Sequence, residues 1–268
     1  MNLMKRLRVR PGGTVRLADW DADDTAGLKK EKAQELLECN VARLAELEYR
    51  LYAESRQSLL VVLQGMDAAG KDGTIRHVMT GLNPQSCRVT AFKVPSAEER
   101  AHDFLWRIHH AVPARGEIGI FNRSHYEDVL VVRVHNLAPK EVWSARYEQI
   151  NHFEKFLTLN GTTVLKFFLH IDKDEQRRRL LARVDDPAKN WKITPADAAE
   201  RRCWKEYQRA YEDALARCST KTAPWFIVPA NKKWFRNLAV SQIIVEALEA
   251  MDPRLPKPPP DLAQIVIK

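Results

Sequence analysis

The apolar run Leu59-Leu60-Val61-Val62-Leu63 leads directly into Gly65-Met66-Asp67-Ala68-Ala69-Gly70-Lys71-Asp72-Gly73-Thr74. That junction restricts the fold more than any other feature of the chain. A glycine-rich loop between a strand and a helix lets backbone N–H groups cradle a phosphate while a lysine reaches its terminal oxygens. The chain is therefore expected to be an α/β protein that handles phosphoryl groups. In the pattern G-x-x-x-x-G-K-[ST] the last hydroxyl ligates Mg²⁺, and here that position is Asp72. A carboxylate is also a hard-cation ligand, and Asp67 places a second one inside the loop, so both are expected metal residues. Two acids beside phosphates repel them unless metal or nearby Lys and Arg offset the charge, so a basic surround is expected. Phosphate contacts are expected from Gly65, Ala68, Ala69, Gly70, Lys71, Asp72, Gly73 and Thr74. The competing reading, a chance glycine-rich turn, lacks the flanking strand and helix that this segment has.

The rest of the chain alternates in the same way. Residues 1–28, with Pro11-Gly12-Gly13, read as an irregular arm, and Lys29–Glu54 shows helical spacing at Leu36, Leu37, Leu44, Leu47 and Leu51. Strands are expected at 59–64, 88–94, 117–122, 163–171 and 225–228. Helices are expected from Lys71 to near Gly81, from an Ser96 N-cap through Ile108, over 139–159, 174–184 and 195–217, and from Lys232 to about Met251. The near-continuous apolar character of 163–171 marks a strand buried on both faces. Strands separated by helices imply a parallel sheet. One α/β domain is expected over 1–268, with helices flanking the sheet, a helical lid at about 174–217 and a Pro-rich tail at 252–268.

The 43 Lys and Arg against 35 Asp and Glu leave a net charge of +8, which suits a polyanionic partner. Cys39, Cys87, Cys203 and Cys218 lack C-x-x-C spacing, so neither a zinc site nor a disulfide framework is indicated and a reducing cytoplasm is expected. No apolar run approaches the ~18 residues of a membrane span, and residues 1–10 lack the apolar core of a secretory signal.

Three further groups bear on chemistry. The end of the strand at 117–122 leads into Asn122-Arg123-Ser124-His125-Tyr126-Glu127-Asp128, and ligands in open α/β sheets bind at strand carboxyl ends. Arg123 is therefore expected in catalysis with Asp67 and Lys71, and Asn122 and Glu127 in binding. Asn122 stands where many phosphate-loop enzymes carry a metal-binding acid. Arg178, Arg183, Lys189 and Lys192 flank the polar break Asp185–Lys192 and read as a lid that supplies cations and excludes water on closing. Arg177 and Arg179 belong to the same basic run, and for these two, as for Arg201, Lys205 and Arg209 spaced along the next helix, a solvated face stands as the bland alternative. His102, His109, His110 and His125 lack zinc-ligand spacing. Trp106, Trp191, Trp204 and Tyr207 could stack a base, although aromatics at such positions more often fill a core.

Taken together, Gly65–Gly73, Phe121–Asp128, Asp186-Pro187-Ala188-Lys189-Asn190-Trp191-Lys192 and Ala223–Ala230 resemble the polyphosphate kinase 2 family in content and order. The resemblance runs from about residue 10 to 250. It implies a P-loop kinase-like three-layer fold with a lid, Mg²⁺ (Mn²⁺ as an alternative ion), and reversible transfer of a terminal phosphate between inorganic polyphosphate and a nucleotide. Segments His102–Arg107 and Ser124–Asp128 resemble the subgroup accepting both AMP and ADP, with guanine nucleotides as alternatives to adenine nucleotides. By the same resemblance Asp67, Lys71, Asp72, Arg123 and Lys189 carry phosphate and metal roles, and a homo-oligomer, dimer or tetramer, is expected. Asn122 and Asn231 depart from the Asp found in some members. Two rival readings stand beside this one: an ATP-dependent nucleotide kinase of thymidylate-kinase type, and a nucleic-acid-binding protein with a regulatory nucleotide site. No nucleic-acid module and no membrane-binding segment is recognisable in the sequence.

Overall fold

In the computed structural model, residues 2–260 are described. The five strands are β1 (Ser58–Gln64), β2 (Cys87–Ala91), β3 (Ile118–Asn122), β4 (Thr162–His170) and β5 (Trp225–Pro229). They pair only in parallel, in the order β2-β3-β1-β4-β5. Every residue of β1 is buried, as a central strand covered on both faces requires. Each fully buried Leu or Val there contributes about 1.5–3 kcal/mol of transfer free energy.

Helices α1 (Leu3–Leu7), α2 (Lys30–Glu54), α3 (Lys71–Val78), α4 (Ala97–Ala101), α5 (Trp106–His109), α6 (Val131–Val134), α7 (Lys140–Leu159), α8 (Lys173–Val184), α9 (Pro195–Glu200), α10 (Trp204–Cys218) and α11 (Lys233–Met251) complete the chain. Against one sheet face lie α2, α3 and α11, and against the other α6, α7 and α10. The long α2 buries Leu44, Leu47 and Leu51, three and four residues apart, and ends where Ser55 turns left-handed (φ 52°) and donates its N–H to Leu51 O. At its middle the buried Asn40 amide donates to the Ser241 hydroxyl of α11 at 3.1 Å.

Three expectations need correction. The helix from Ser96 through Ile108 is two short helices. Ser96 does cap α4 in a full capping box, but the Asp103 carboxylate accepts the Leu105 N–H at 2.9 Å, a local turn that competes with helix continuation. The arm is not loose. Leu3, Leu7, Val9 and Leu17 are buried, and the Val9 N–H donates to Trp225 O at 2.9 Å, so the arm closes the open edge of β5. Finally, the 174–217 span is not all lid, because α10 buries Trp204, Ala210, Tyr211, Ala214, Leu215 and Cys218 in the body. Only the stretch around residues 185–199 is largely exposed. Residues 254–260 of the tail are exposed and irregular, and 261–268 lie outside the described residues.

Candidate active site

Because β1 sits between β3 and β4, the loops leaving β1 and β3 meet above the sheet, where open α/β sheets form their ligand crevice. The loop leaving β1 is Gly65–Gly70, and α3 starts at Lys71. Side chains are excluded at two of its turns. A Cβ on Gly65 would sit 2.8 Å from Leu169 O. Gly70 has φ +105°, and a Cβ there would lie 1.9 Å from the Arg236 guanidinium. Ala68 adopts φ +62°, a strained conformation of the kind that collects at functional sites. Gly70→Ala is expected to cost about 1–3 kcal/mol, through backbone strain alone, and more if Arg236 must move. An unchanged melting temperature would sink this account of the loop.

Lys71 is 8% exposed, and its Nζ donates to Gly65 O at 3.0 Å, so the ammonium lies across the loop. Burial, then the neighbouring Arg123, pushes it down to about 8, while Asp67, Glu127 and Asp72 pull the other way. Arg123 follows β3 with φ +63°. Its guanidinium donates to Glu127 Oε2 at 3.1 Å and to Asp67 Oδ1 at 3.2 Å. Against the effect of burial, Glu127, Tyr211 and Asp67 hold it above the usual arginine range. The Asp67 carboxyl is raised by burial and by contact with Asp197 of α9, with Lys71 and Arg123 opposing. Asp72 accepts from the Asn122 amide at 2.7 Å. Asn122 thus orients an acid where the sequence suggested that one was missing. Thr74 is fully buried and donates to Gly70 O at 3.1 Å, so its hydroxyl secures the helix start and does not open onto the loop mouth.

The loop is held from behind by groups that sequence reading undervalued. Arg179 of α8 donates to Ala68 O and Ala69 O, both at 2.9 Å, and to Ala230 O and Asn231 O beyond β5. Its charge is balanced by Glu175 at 2.5 Å. Gln176 donates to Asp67 O at 3.1 Å. Arg236 of α11 is 2% exposed and reaches Ala69 O at 3.4 Å and Asn237 Oδ1 at 2.7 Å. Burial, then Arg179 beside it, pushes Arg236 down to about 9. Carbonyl recognition by remote guanidinia has no short motif, which is why the sequence shows Arg179 only as one cation of a basic run and gives no sign of Arg236.

The lid cations are not gathered on the loop. Arg178 turns to Glu175 at 2.8 Å, Lys189 pairs with Asp186, and Lys192 lies 4.9 Å from the exposed Trp191 ring. Against the effect of burial, contact with Asp67 and then the Thr194 N–H and hydroxyl hold the Asp197 carboxyl below its ordinary range, with Arg183 adding least. Asn231 donates to both Asp23 and Asp172. An Asp there would face two carboxylates, which explains the amide.

A cavity of about 480 Å³ opens beside the loop. Gly65, Asp67 and Arg123 form its inner end, Phe92, Val94, Leu130 and Val131 its apolar walls, and His135, Glu200 and Tyr207 its far rim. Its size suits a small organic ligand with a few polar anchors. The His135 ring nitrogen lies 2.9 Å from Glu200 and 3.3 Å from the Tyr207 hydroxyl. On one wall Asp128 accepts from Arg146 at 3.1 Å. Burial raises its carboxyl to about 6 despite that pairing. Trp204 and Tyr207 do line this cavity, whereas Trp106 stacks on His102 with centroids 4.3 Å apart. The apolar walls come from segments separated by tens of residues, and only the fold assembles them.

Residues 27–256 match the family model described as polyphosphate kinase 2. The chain is 52% identical to an AMP/ADP-polyphosphate phosphotransferase of Meiothermus ruber, over 99% of this chain and 100% of that protein. It is 47% identical to an ADP-polyphosphate phosphotransferase of Rhodopseudomonas palustris, over 96% of this chain and 93% of that protein. Its structure resembles the crystal structure of polyphosphate kinase 2 from Arthrobacter aurescens TC1, with a TM-score of 0.94 and 46% identity over 98% of this chain and 94% of that one.

Proposed function

The chain belongs to the polyphosphate kinase 2 family, and from that premise we propose that it moves the terminal phosphate of inorganic polyphosphate to AMP and ADP, giving ADP and ATP, reversibly. The observation that carries this reading is a shared boundary. Asp67, Arg123 and Gly65 belong both to the phosphate loop and to the inner end of the 480 Å³ cavity. A nucleotide seated between the apolar walls therefore directs its phosphate at the mouth of the loop. The polymer end occupies the loop itself, with the surplus of basic residues, the +8 of the chain, serving its remaining charge.

The acceptor's terminal phosphate oxygen attacks the end phosphorus, and the bond to the next bridging oxygen breaks. No protein nucleophile is required, and a phosphate oxygen already ionised near neutral pH needs no strong base. What the protein supplies is alignment and charge stabilisation. Lys71 and Arg123 stand on the two loops that meet there and neutralise charge spreading onto the transferred group. Asp67 keeps Arg123 in place. Mg²⁺, with Mn²⁺ as an alternative, fits Asp67 and Asp72 as hard oxygen donors. No group of three or more His, Cys, Asp or Glu side chains able to hold a metal occurs among the described residues, and Mg²⁺ is ordinarily held by one or two carboxylates plus substrate phosphates. When bound it would neutralise charge on the reacting phosphates. Of the lid residues, Lys189 and Lys192 reach the polymer only if the 185–199 stretch closes over it, whereas Arg178 and Arg183 belong to α8 beside it.

No helix of the described residues is long and apolar enough to cross a membrane. All four cysteines are free, which agrees with a cytoplasmic setting. We assign no nucleic-acid or membrane partner, and take a homo-oligomer, dimer or tetramer, as the working assembly. The test is product analysis with purified protein, Mg²⁺, long-chain polyphosphate and AMP or ADP. ADP from AMP and ATP from ADP are expected. Products formed only when ATP is the donor would replace this reading with that of an ordinary nucleotide kinase.

A further inference from the structure

Buried cations in folded proteins are almost always paired, because desolvating an isolated charge costs several kcal/mol. Around the phosphate loop this rule holds for Arg179, which meets Glu175, and the half-buried Arg123 also meets Asp67 and Glu127. It fails for Lys71, which lies in the cradle and faces the ligand itself, and, behind the loop, for Arg236. That side chain is 2% exposed, yet its acceptors are the Asn237 side-chain oxygen and the Ala69 carbonyl, and no carboxylate among the described residues forms an ion pair with it. It is also pressed against the loop itself. The guanidinium occupies the space a side chain on Gly70 would need and lies 3.3 Å from where a Cβ on Gly73 would stand.

The placement has a directional consequence. The two sides of a peptide unit point in opposite directions, so a carbonyl held from behind aims the following N–H forward. Arg179 and Arg236 both reach Ala69 O, which turns the Gly70 N–H away from them and toward the open loop. The Ala69 N–H is already spent on Met66 O at 3.0 Å. One neutralised guanidinium would suffice to hold the carbonyl. A second that carries an unbalanced charge is a standing cost to the folded protein, unless an anion on the other side of the loop balances it.

We propose that Arg236 is a positioning residue whose missing counter-ion is the phosphoanion bound by the Gly65–Lys71 loop. Its charge acts through the loop backbone to hold the polymer end. The inference rests on the phosphate-loop reading but not on the choice of donor, because any phosphoanion in the loop would serve. Removing the charge with Arg236→Met leaves the loop's direct contacts, Lys71 included, in place while loop affinity for phosphoanions falls.

The experiment compares thermal melts and equilibrium binding of wild type, Arg236→Met and Arg236→Lys, each alone, with inorganic polyphosphate and with ATP. Wild type is expected to be stabilised by polyphosphate. In Arg236→Met the dissociation constant should rise about tenfold or more, equivalent to about 1.4 kcal/mol, and the ligand-induced shift should shrink. Arg236→Lys, which keeps the charge but loses the fork, should bind within about threefold of wild type. The readout is the difference between free and bound protein, so a purely structural loss would lower both melts and leave the shift intact, overturning the proposal. Equal weakening by Lys and Met would overturn it too, since charge would then not be the operative property. If wild type responds to ATP but not to polyphosphate, and that response is lost in Arg236→Met, the donor assignment fails and the inference stands. If wild type responds to neither, the inference falls.

Discussion

Replacing Lys71 by alanine is expected to reduce polyphosphate-dependent turnover at least about a thousandfold, with a much smaller effect on folding. The geometry separates the two effects. Lys71 is buried at the start of α3, yet the only hydrogen bond its ammonium makes among the described residues is to the Gly65 carbonyl at 3.0 Å. A single bond of that kind is worth about 0.5–1.5 kcal/mol net. Desolvation opposes the charge, to the extent that the ammonium is pushed down to about 8. The folded protein thus holds Lys71 at a cost, and losing it should lower the melting temperature only slightly. The transferred phosphoryl group, by contrast, spreads charge over its oxygens in the transition state, and the Lys71 ammonium is laid across its cradle. Single-turnover rates of the variant with ADP, together with its melt, check this. Comparable losses of activity and stability would mean that the lysine supports the loop and does not act on the phosphate.

The second large effect lies below the site. Lys166 of β4 is fully buried. Its ammonium donates to Glu154 Oε2 at 2.5 Å, to the Tyr126 hydroxyl at 2.9 Å and to Cys218 O at 2.7 Å. Glu154 in turn accepts from Tyr126 at 2.9 Å and lies 3.2 Å from the His125 ring nitrogen. This cluster joins β4, α7 and the start of α10's exit to the turn His125–Asp128, which immediately follows Arg123. Removing one partner strands the other as a buried, unpaired charge. Lys166→Met is therefore expected to cost about 3–5 kcal/mol, seen as a melt lowered by roughly 10 °C. Adding Glu154→Leu should recover part of that loss, because two apolar groups replace an ion pair without leaving a lone charge. A single variant that loses less than about 1 kcal/mol would show that the cluster does not hold the turn.

The same cluster sets an acid limit. Despite its burial, Lys166 and then His125 hold the Glu154 carboxyl below its ordinary value. A depressed carboxylate contributes stability that is complete above its unfolded pKa and lost as pH falls through its folded one. Burial also lowers His125, the more so with Lys166 nearby. Charging it in acid adds to the loss. Stability should begin to fall below the ordinary histidine value, where the unfolded chain takes up the proton that buried His125 resists, and fall further within and below the ordinary carboxylate range as Glu154 is protonated; Glu154→Gln should flatten the second part.

How far the sequence foretold this site depended on how local each signal was. The loop Gly65–Thr74 and the Arg123 turn were legible because a strand end, a glycine pair and a lysine fall within a few residues of one another. Strand order was not, since a short parallel strand carries no mark of its neighbours, and the position of β1 between β3 and β4 emerges only from pairing. Asn122 looked like a missing acid because its role lies in a hydrogen bond to Asp72, fifty positions away. Arg179 and Arg236 looked like members of a basic helix face and a closing helix. Their targets are backbone carbonyls, which carry no residue identity to read. The lid, conversely, was read too broadly: charge density along 174–217 hid the buried stripe of α10.

The span matched by the family model begins at residue 27, yet the chain's cooperative unit begins earlier. Leu7 and Leu17 are sealed in the core, the Ser219 hydroxyl donates to Val9 O, and Asp23 takes the Asn231 amide that also holds Asp172 at the head of α8. A recombinant protein trimmed to the matched span would keep every residue of the phosphate loop and lose the brace on the helix carrying Arg179. Domain limits drawn by the family model and those drawn by mechanics differ here by about two dozen residues, and the shorter piece would be a compromised enzyme with an intact signature.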